Sequence, residues 1–201
     1  KSWIIGELAR RAAAHGKRAL IVAHRGELLE QNADKLRQLG ADVALEKAAD
    51  HAPRTAPIVM ASIQTLQGRR LESWPRDHFG VVLVDEAHRI LASSYGALLD
   101  HFAAARLAGL TGTPSRTDGQ ALGRVFESCA FSYALRQAIA DGWLTPLSAR
   151  RVIVEAVNLD RVGRSQGDLD VADLSREFTS PAAIDGVVRP FLKLAGGRRS
   201  V

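Results

Sequence analysis

Four short apolar runs are the sequence feature that most constrains the fold of this chain. They lie at residues 18–23, 57–61, 80–84 and 106–110. Because such runs have no polar face, they are typical of strands that are buried on both sides of a parallel sheet. Segments with helical spacing of apolar residues separate the runs. This alternation predicts a three-layer α/β domain with a mainly parallel sheet.

Apolar periodicity and glycine stops predict the remaining elements. A fifth strand is expected at residues 42–45 and another strand at 150–157, with a polar connection and a short helix over 158–175. The predicted helices cover residues 3–15, 26–39, 63–67, 94–105, 133–141 and 181–195.

Composition limits the class of protein. The chain has 201 residues, which is enough for one sizeable domain. Its single cysteine, Cys129, cannot form an intrachain disulfide, which fits a reducing cytoplasm. No apolar run is long enough to predict a membrane span. The net charge of +5 suits a polyanionic partner such as nucleic acid.

Two adjacent carboxylates, Asp85 and Glu86, follow the apolar run at residues 80–84, and Ala87 and His88 come next. Parallel sheets place ligand sites at the carboxyl ends of their strands, where these acids would lie. Nucleotide hydrolysis uses such a pair, because one carboxylate holds Mg²⁺ and the other orients or deprotonates the attacking water. The sequence therefore predicts a nucleotide-hydrolysing site here, against the alternative of a solvated acidic turn.

Two further short patterns are weak signals alone, but together with the acidic pair they indicate a nucleotide site. Thr111-Gly112-Thr113-Pro114 follows the run at residues 106–110, and its hydroxyls can both donate and accept hydrogen bonds. Alone, this tetrapeptide is more typical of a plain turn. Lys1-Ser2 directly precedes a predicted helix and matches the last two positions of a phosphate-binding loop, whose glycines do not precede it in these 201 residues.

In this order, the motifs resemble those of DEAH-box helicases of superfamily 2. Lys1-Ser2 is similar to the end of motif I, residues 85–88 to motif II and residues 111–114 to motif III. Residues 21–31 and 61–66 are similar to motif Ia and the next nucleic-acid-facing motif. The subgroup that they resemble includes RadD-like repair ATPases, phage helicases and the translocase subunits of restriction enzymes.

The resemblance implies an ATP-hydrolysing site that uses Mg²⁺. Asp85 and Ser2 would hold the metal ion, and Glu86 would be the catalytic base. Lys1 and Ser2 would contact the nucleotide phosphates. Base-specific recognition is not expected, since motors of this kind bind the nucleic-acid backbone.

The resemblance also implies a link between nucleotide and nucleic acid. His88 would connect the catalytic acids to Thr111 and Thr113 at the nucleotide. DNA is the expected substrate from the subgroup resemblance, and RNA stays open. The residues expected to face nucleic acid are Arg25, Ser62, Gln64 and Thr65. Surface or capping roles are the alternatives for Arg25 and Gln64.

The same resemblance implies a domain organisation. Residues 1–147 would form the first RecA-like (P-loop NTPase) domain, without its first strand and most of the phosphate-binding loop. Residues 148–185 would be an inter-domain connection, and residues 186–201 the start of a second RecA-like domain. Because that second domain would supply an arginine to the bound ATP, residues 1–201 alone are expected to be inactive.

Three functions are compatible with these motifs. The first is an ATP-dependent helicase or translocase that acts on DNA, with a role in DNA repair. The second is the motor of a restriction or repair complex that translocates without separating strands. The third is a non-enzymatic nucleic-acid-binding module that descends from such motors.

Overall fold

The fold is described from a computed structural model of the chain, over residues 1–24, 29–114, 122–149, 151–165 and 168–195. Its contacts divide the chain into two compact units, Lys1–Ser132 and Tyr133–Val201. No helix in the described ranges is long and apolar enough to cross a membrane. The predicted contact residue Arg25 lies outside these ranges, as do the first residues of the helix predicted at 26–39.

The first unit contains a five-stranded parallel sheet with the strand order β2-β3-β1-β4-β5. Since every strand runs in the same direction, all five carboxyl ends lie at one edge of the sheet. The mainly parallel sheet predicted from the apolar runs is confirmed. The strands are β1 (Ala19–Ala23), β2 (Val43–Glu46), β3 (Ile58–Ser62), β4 (Val81–Asp85) and β5 (Arg106–Leu110).

Helices cover both faces of this sheet and complete three layers. One face packs against α1 (Ser2–Ala14) and α2 (Leu29–Gln38), and the other against α3 (Gly68–Glu72) and α4 (Ser93–His101). Successive strand residues alternate between the two cores: in β1, Leu20 and Val22 belong to one and Ala19, Ile21 and Ala23 to the other. This alternation explains why the strands read as continuous apolar runs.

The second unit is largely helical. It contains α5 (Leu135–Ala140), α6 (Val171–Phe178) and α7 (Pro181–Ala195). A short antiparallel pair, β6 (Arg164–Ser165) and β7 (Asp168–Leu169), precedes α6. Asp170 caps α6, since its carboxylate accepts hydrogen bonds from the backbone N–H groups of Ala172 and Asp173, both at 3.0 Å.

The helix predicted at residues 63–67 is wrong, because this segment forms turns and the helix begins at Gly68. The cause is local hydrogen bonding by side chains. The Ser62 hydroxyl accepts from the Thr65 N–H at 3.1 Å, and the Gln67 amide donates to the Ile63 carbonyl at 2.8 Å. These bonds compete with the backbone bonds of a helix.

The strand predicted at residues 150–157 is also wrong, since residues 151–157 contain no strand. Ile153 is 76% exposed, and the Val157 N–H bonds locally to the Val154 carbonyl at 3.1 Å. A strand requires a partner strand for its backbone groups, and the described part of this unit pairs no strand with this apolar run. The helix predicted at 94–105 also ends early, at His101.

Tyr95 offers a test of the packing around α4. Its ring is fully buried, its hydroxyl has no hydrogen-bond partner among the described residues, and burial raises the pKa of Tyr95 to about 12. A buried unpaired hydroxyl costs free energy, so Tyr95→Phe is expected to raise the free energy of unfolding by about 1 kcal/mol. Urea unfolding measures this change. A loss of stability would contradict it. Tyr133→Phe is the matched control. It removes a hydroxyl that donates to Asp141, so no increase in the free energy of unfolding is expected.

Candidate active site

The carboxyl edge of the sheet gathers the residues that the sequence motifs predicted. Asp85 is the last residue of β4, Ser62 is the last residue of β3, and Thr111 directly follows β5. His24 directly follows β1. Because β1, β3, β4 and β5 are parallel neighbours in the sheet, residues far apart in sequence meet at this edge.

Glu86 leaves the strand in an unusual backbone conformation. Its φ of 52° and ψ of 50° are left-handed, which costs free energy for any residue except glycine. The Asp85 carboxylate accepts a hydrogen bond from the Glu86 N–H at 2.9 Å and supports this turn. Residues in strained conformations concentrate at functional sites, where the surrounding structure holds them. This backbone conformation therefore supports the prediction, made from the paired carboxylates, that Glu86 is a functional residue.

The Glu86 carboxylate has a cationic neighbour at the start of the chain. Lys1 Nζ forms an ion pair with Glu86 Oε1. Ser2 begins α1, and its hydroxyl donates to Asn32 Oδ1 of α2 at 3.1 Å. Ser2, Asn32 and Asp85 together line a small cavity of about 10 Å³, room for a single water molecule. The structure thus brings the Lys1-Ser2 pair beside the two acids.

The donor set at Ser2 and Asp85 fits Mg²⁺. Ser2 and Asp85 both line this cavity, and their side chains carry the oxygen ligands that Mg²⁺ prefers. Across the described part of the chain, no group of three or more His, Cys, Asp or Glu residues could hold a metal ion. Mg²⁺ does not need such a cage, since it retains waters and binds substrate phosphates beside one or two protein ligands.

His88 connects the acidic pair to the threonines after β5. Its Nδ1 atom lies 3.0 Å from Thr111 Oγ1, 3.3 Å from Thr113 Oγ1 and 3.3 Å from Glu86 Oε2. The Thr113 N–H also donates to Thr111 Oγ1 at 3.0 Å. One ring nitrogen cannot bond equally to three oxygens, so the partner of Nδ1 depends on the positions of Glu86, Thr111 and Thr113. A movement of Glu86 at the end of β4 can therefore alter the hydrogen bonds of the threonines after β5.

Three of the residues predicted to face nucleic acid lie at the end of β3 or in the turn after it. Ser62 is 4% exposed and its hydroxyl lies 2.8 Å from Thr65 Oγ1, so this buried side chain stabilises the turn. Gln64 is exposed and Thr65 is half-buried. The geometry thus leaves Gln64 and Thr65 at the surface and gives Ser62 a supporting position.

Two residues near the site were not predicted from the sequence. Asn32 holds the Ser2 hydroxyl, and Arg89 Nη1 lies 3.1 Å from His24 Nε2, which joins the ends of β4 and β1. Neither belongs to a pattern with chemical meaning, because both act through tertiary contacts that sequence spacing does not show. Gly109 was also missed, although a glycine inside a strand pattern is a known signal for close approach of two segments.

Gly109 allows the close contact that supports the turn after β4. A Cβ atom at this position would lie 2.6 Å from the Ala87 Cβ and 2.3 Å from the Phe126 ring. Gly109→Ala is therefore expected to lower the free energy of unfolding by about 1–3 kcal/mol through overpacking. Urea unfolding checks this, with Gly96→Ala as control because a Cβ at Gly96 meets nothing within 4 Å. Equal stability of the two variants would show that Phe126 moves aside freely.

Comparison with known proteins places this arrangement in a family. The family described as "Type III restriction enzyme, res subunit" matches residues 1–116, more than half of the chain. Saccharomyces cerevisiae IRC3, named as an ATP-dependent helicase, is 29% identical over 184 residues, with 87% of this chain and 26% of that protein covered. Schizosaccharomyces pombe irc3, named as a mitochondrial ATP-dependent helicase, is 28% identical over 195 residues, which is 92% of this chain and 32% of that protein.

A third relative is the type I restriction enzyme EcoAI endonuclease subunit of Escherichia coli. It is 34% identical over 98 residues, with 47% of this chain and 12% of that protein covered. The chain thus spans a third or less of the length of each of these curated relatives.

Two solved structures are also similar to the chain. One is titled a hypothetical ATP-dependent RNA helicase from Sulfolobus tokodaii, with 21% identity and a TM-score of 0.47 over 55% of this chain and 38% of that one. The other is T4 UvsW, with 23% identity and a TM-score of 0.44 over 56% and 24%.

The family match includes Lys1-Ser2, the acidic pair and both threonines. The resemblance to superfamily 2 motor domains predicted from those motifs is confirmed. The chain belongs to the family of the type III restriction enzyme res subunit.

Proposed function

We propose that this chain is the first motor domain of an ATP-dependent helicase or translocase that moves along DNA. The observation that carries the proposal is the continuous set of contacts from Lys1 through Glu86 and His88 to Thr111. A cation for phosphate and a carboxylate for water are among the parts that phosphoryl transfer uses, and the His88–Thr111 contact extends from them. The relatives named as ATP-dependent helicases support the same activity.

Each residue has a role in this proposal. Asp85 and Ser2 would hold Mg²⁺, which would supply charge stabilisation to the phosphates. Glu86 orients and deprotonates the attacking water. Lys1 binds phosphate, and because it pairs with Glu86 in this structure, phosphate binding would release the Glu86 carboxylate for its role as base.

His88 would report the state of the nucleotide. When Glu86 changes partners, the bonds of His88 Nδ1 to Thr111 and Thr113 change with it. The two motor domains would close when ATP binds and open after hydrolysis. Their contacts with nucleic acid would then form and break in alternation. Gln64 and Thr65 would contact the phosphate backbone, and Arg25, outside the described residues, would join them, because such side chains bind phosphate oxygens.

A second candidate is a motor of a restriction complex that translocates without separating strands. The family description and the similarity to a type I restriction enzyme subunit favour it. A repair role in the cytoplasm and the use of RNA in place of DNA belong to the same set of proposals.

The direct test is ATP hydrolysis by the full-length protein with and without single-stranded DNA. The proposal expects nucleic acid to increase ATP turnover. A strand-displacement assay on a forked duplex then separates helicase from translocase, since only the former releases the labelled strand. If neither DNA nor RNA changes ATP turnover and neither binds, the proposed function is wrong.

A further inference from the structure

A tight turn follows β2 at the same edge of the sheet as the site. The Lys47 and Asp50 backbones bond to one another in both directions, at 3.2 Å and 2.7 Å. Ala48 lies between them with a φ of +47°, a conformation that is unfavourable for alanine. A turn that carries such a cost persists only where other contacts hold it.

The contacts that hold this turn come from Arg70 of α3. Its guanidinium donates to the Ala48 carbonyl, to the Asp50 carbonyl and to the Glu46 carboxylate. Glu46 is 2% exposed and also accepts from the Ala52 N–H at 2.8 Å. The planar guanidinium fork allows one side chain to bridge several acceptors at once, which a lysine ammonium does poorly. Arg70 thus joins α3 to the whole of this turn.

The held turn contacts the segment proposed to bind nucleic acid. The Ala48 N–H donates to Thr65 Oγ1 at 3.3 Å, and Thr65 Oγ1 lies 2.8 Å from the Ser62 hydroxyl. Thr65 therefore stands between β3 and the turn after β2. Its orientation depends on the position of Ala48, which Arg70 fixes.

We infer that Arg70 is a positioning residue for the nucleic-acid-facing turn, acting through the backbone of Ala48 on Thr65. The inference rests on the proposed function, since it concerns the same binding surface. Arg70 need not touch nucleic acid, because its guanidinium faces Glu46 and two backbone carbonyls. Its loss would let the strained turn relax and would change the direction of the Thr65 hydroxyl.

The first experiment compares Arg70→Lys with Arg69→Lys in the full-length protein. Both changes keep the positive charge on α3, and Arg69 is exposed. Arg70→Lys is expected to raise the concentration of single-stranded oligonucleotide that half-saturates ATP turnover by about tenfold. Basal turnover and the KM for ATP are expected to stay within about twofold, and Arg69→Lys is expected to resemble the wild type.

The outcomes separate the inference from the proposed function. If the wild type shows no binding to and no stimulation by nucleic acid, the proposed function fails. If the wild type responds and Arg70→Lys responds equally, the positioning role is wrong. Should Arg70→Lys not fold, the pair Glu46→Gln and Arg70→Gln replaces it, since it leaves no unpaired buried charge.

A double-mutant cycle with Thr65→Val tests the route through Thr65. If Arg70 acts on binding by way of Thr65, Arg70→Lys should add little to the loss that Thr65→Val already causes. A general loss of structure would instead add fully to that loss. Fluorescence anisotropy of a labelled oligonucleotide measures all four proteins, and additive effects would overturn the inference.

Discussion

Glu86→Gln in the full-length protein is expected to lower ATP turnover by about 10²–10⁴-fold, the usual contribution of a general base. Glutamine keeps the size of the side chain and its capacity to accept from Lys1, but it cannot remove a proton from water. The left-handed turn at Glu86 is retained, since the bond from its N–H to Asp85 Oδ1 uses only backbone of residue 86. ATP binding is therefore expected to persist.

Turnover is measured by phosphate release and binding by a fluorescent ATP analogue. Glu72→Gln, at an exposed glutamate of α3, is the matched control and is expected to leave both values unchanged. Turnover that persists in Glu86→Gln would assign the base to another residue. Absence of turnover in both wild type and variant would favour the non-enzymatic nucleic-acid-binding module.

The sheet was predictable because a strand that is buried on both faces has a continuous run of apolar residues in the sequence. Leu20 and Ile21 are neighbours that enter opposite cores, so both must be apolar. The carboxyl-edge rule then predicted that Asp85 and Thr111, which both follow apolar runs, would lie at the same edge of the sheet, because parallel strands end together. Strand pattern and strand direction were sufficient for this part of the site.

The supporting contacts were not predictable, because they depend on which helix covers which strand. Asn32 reaches Ser2, and Arg70 reaches Glu46, only after α2 and α3 have packed on opposite faces of the sheet. A buried Glu46 gives no local signal, since glutamate is normally exposed. Such residues become visible only through tertiary structure.

The second unit shows a different limit of sequence patterns. Helix α7 was predicted with the bounds that the structure gives it, since its apolar stripe is long and regular. The apolar run at residues 151–157 has the composition of a strand, but it forms no strand. Strand propensity depends on a partner strand, so a short apolar run without a partner is a weak predictor.

Residues 1–201, expressed by themselves, are expected to hydrolyse ATP at least about 10³-fold more slowly than the full-length protein. Phosphoryl transfer gains about 10³–10⁵ in rate from an arginine that stabilises the transferring group. Among the described residues near the acidic pair, Lys1 pairs with Glu86 and Arg89 Nη1 lies 3.1 Å from His24 Nε2, so both cations already have partners within this domain. The resemblance to superfamily 2 motors assigns that arginine to a second motor domain.

Phosphate release by both forms, at saturating ATP and single-stranded DNA, measures this difference. Circular dichroism and a cooperative unfolding transition must first show that residues 1–201 are folded, because an unfolded chain would be inactive for a trivial reason. Addition of an isolated second domain is expected to restore part of the rate, since the missing cation would then be supplied in trans. A rate within tenfold of the full-length protein would mean that the first domain contains a complete catalytic site, and that the Lys1, Glu86 and His88 contacts suffice for chemistry.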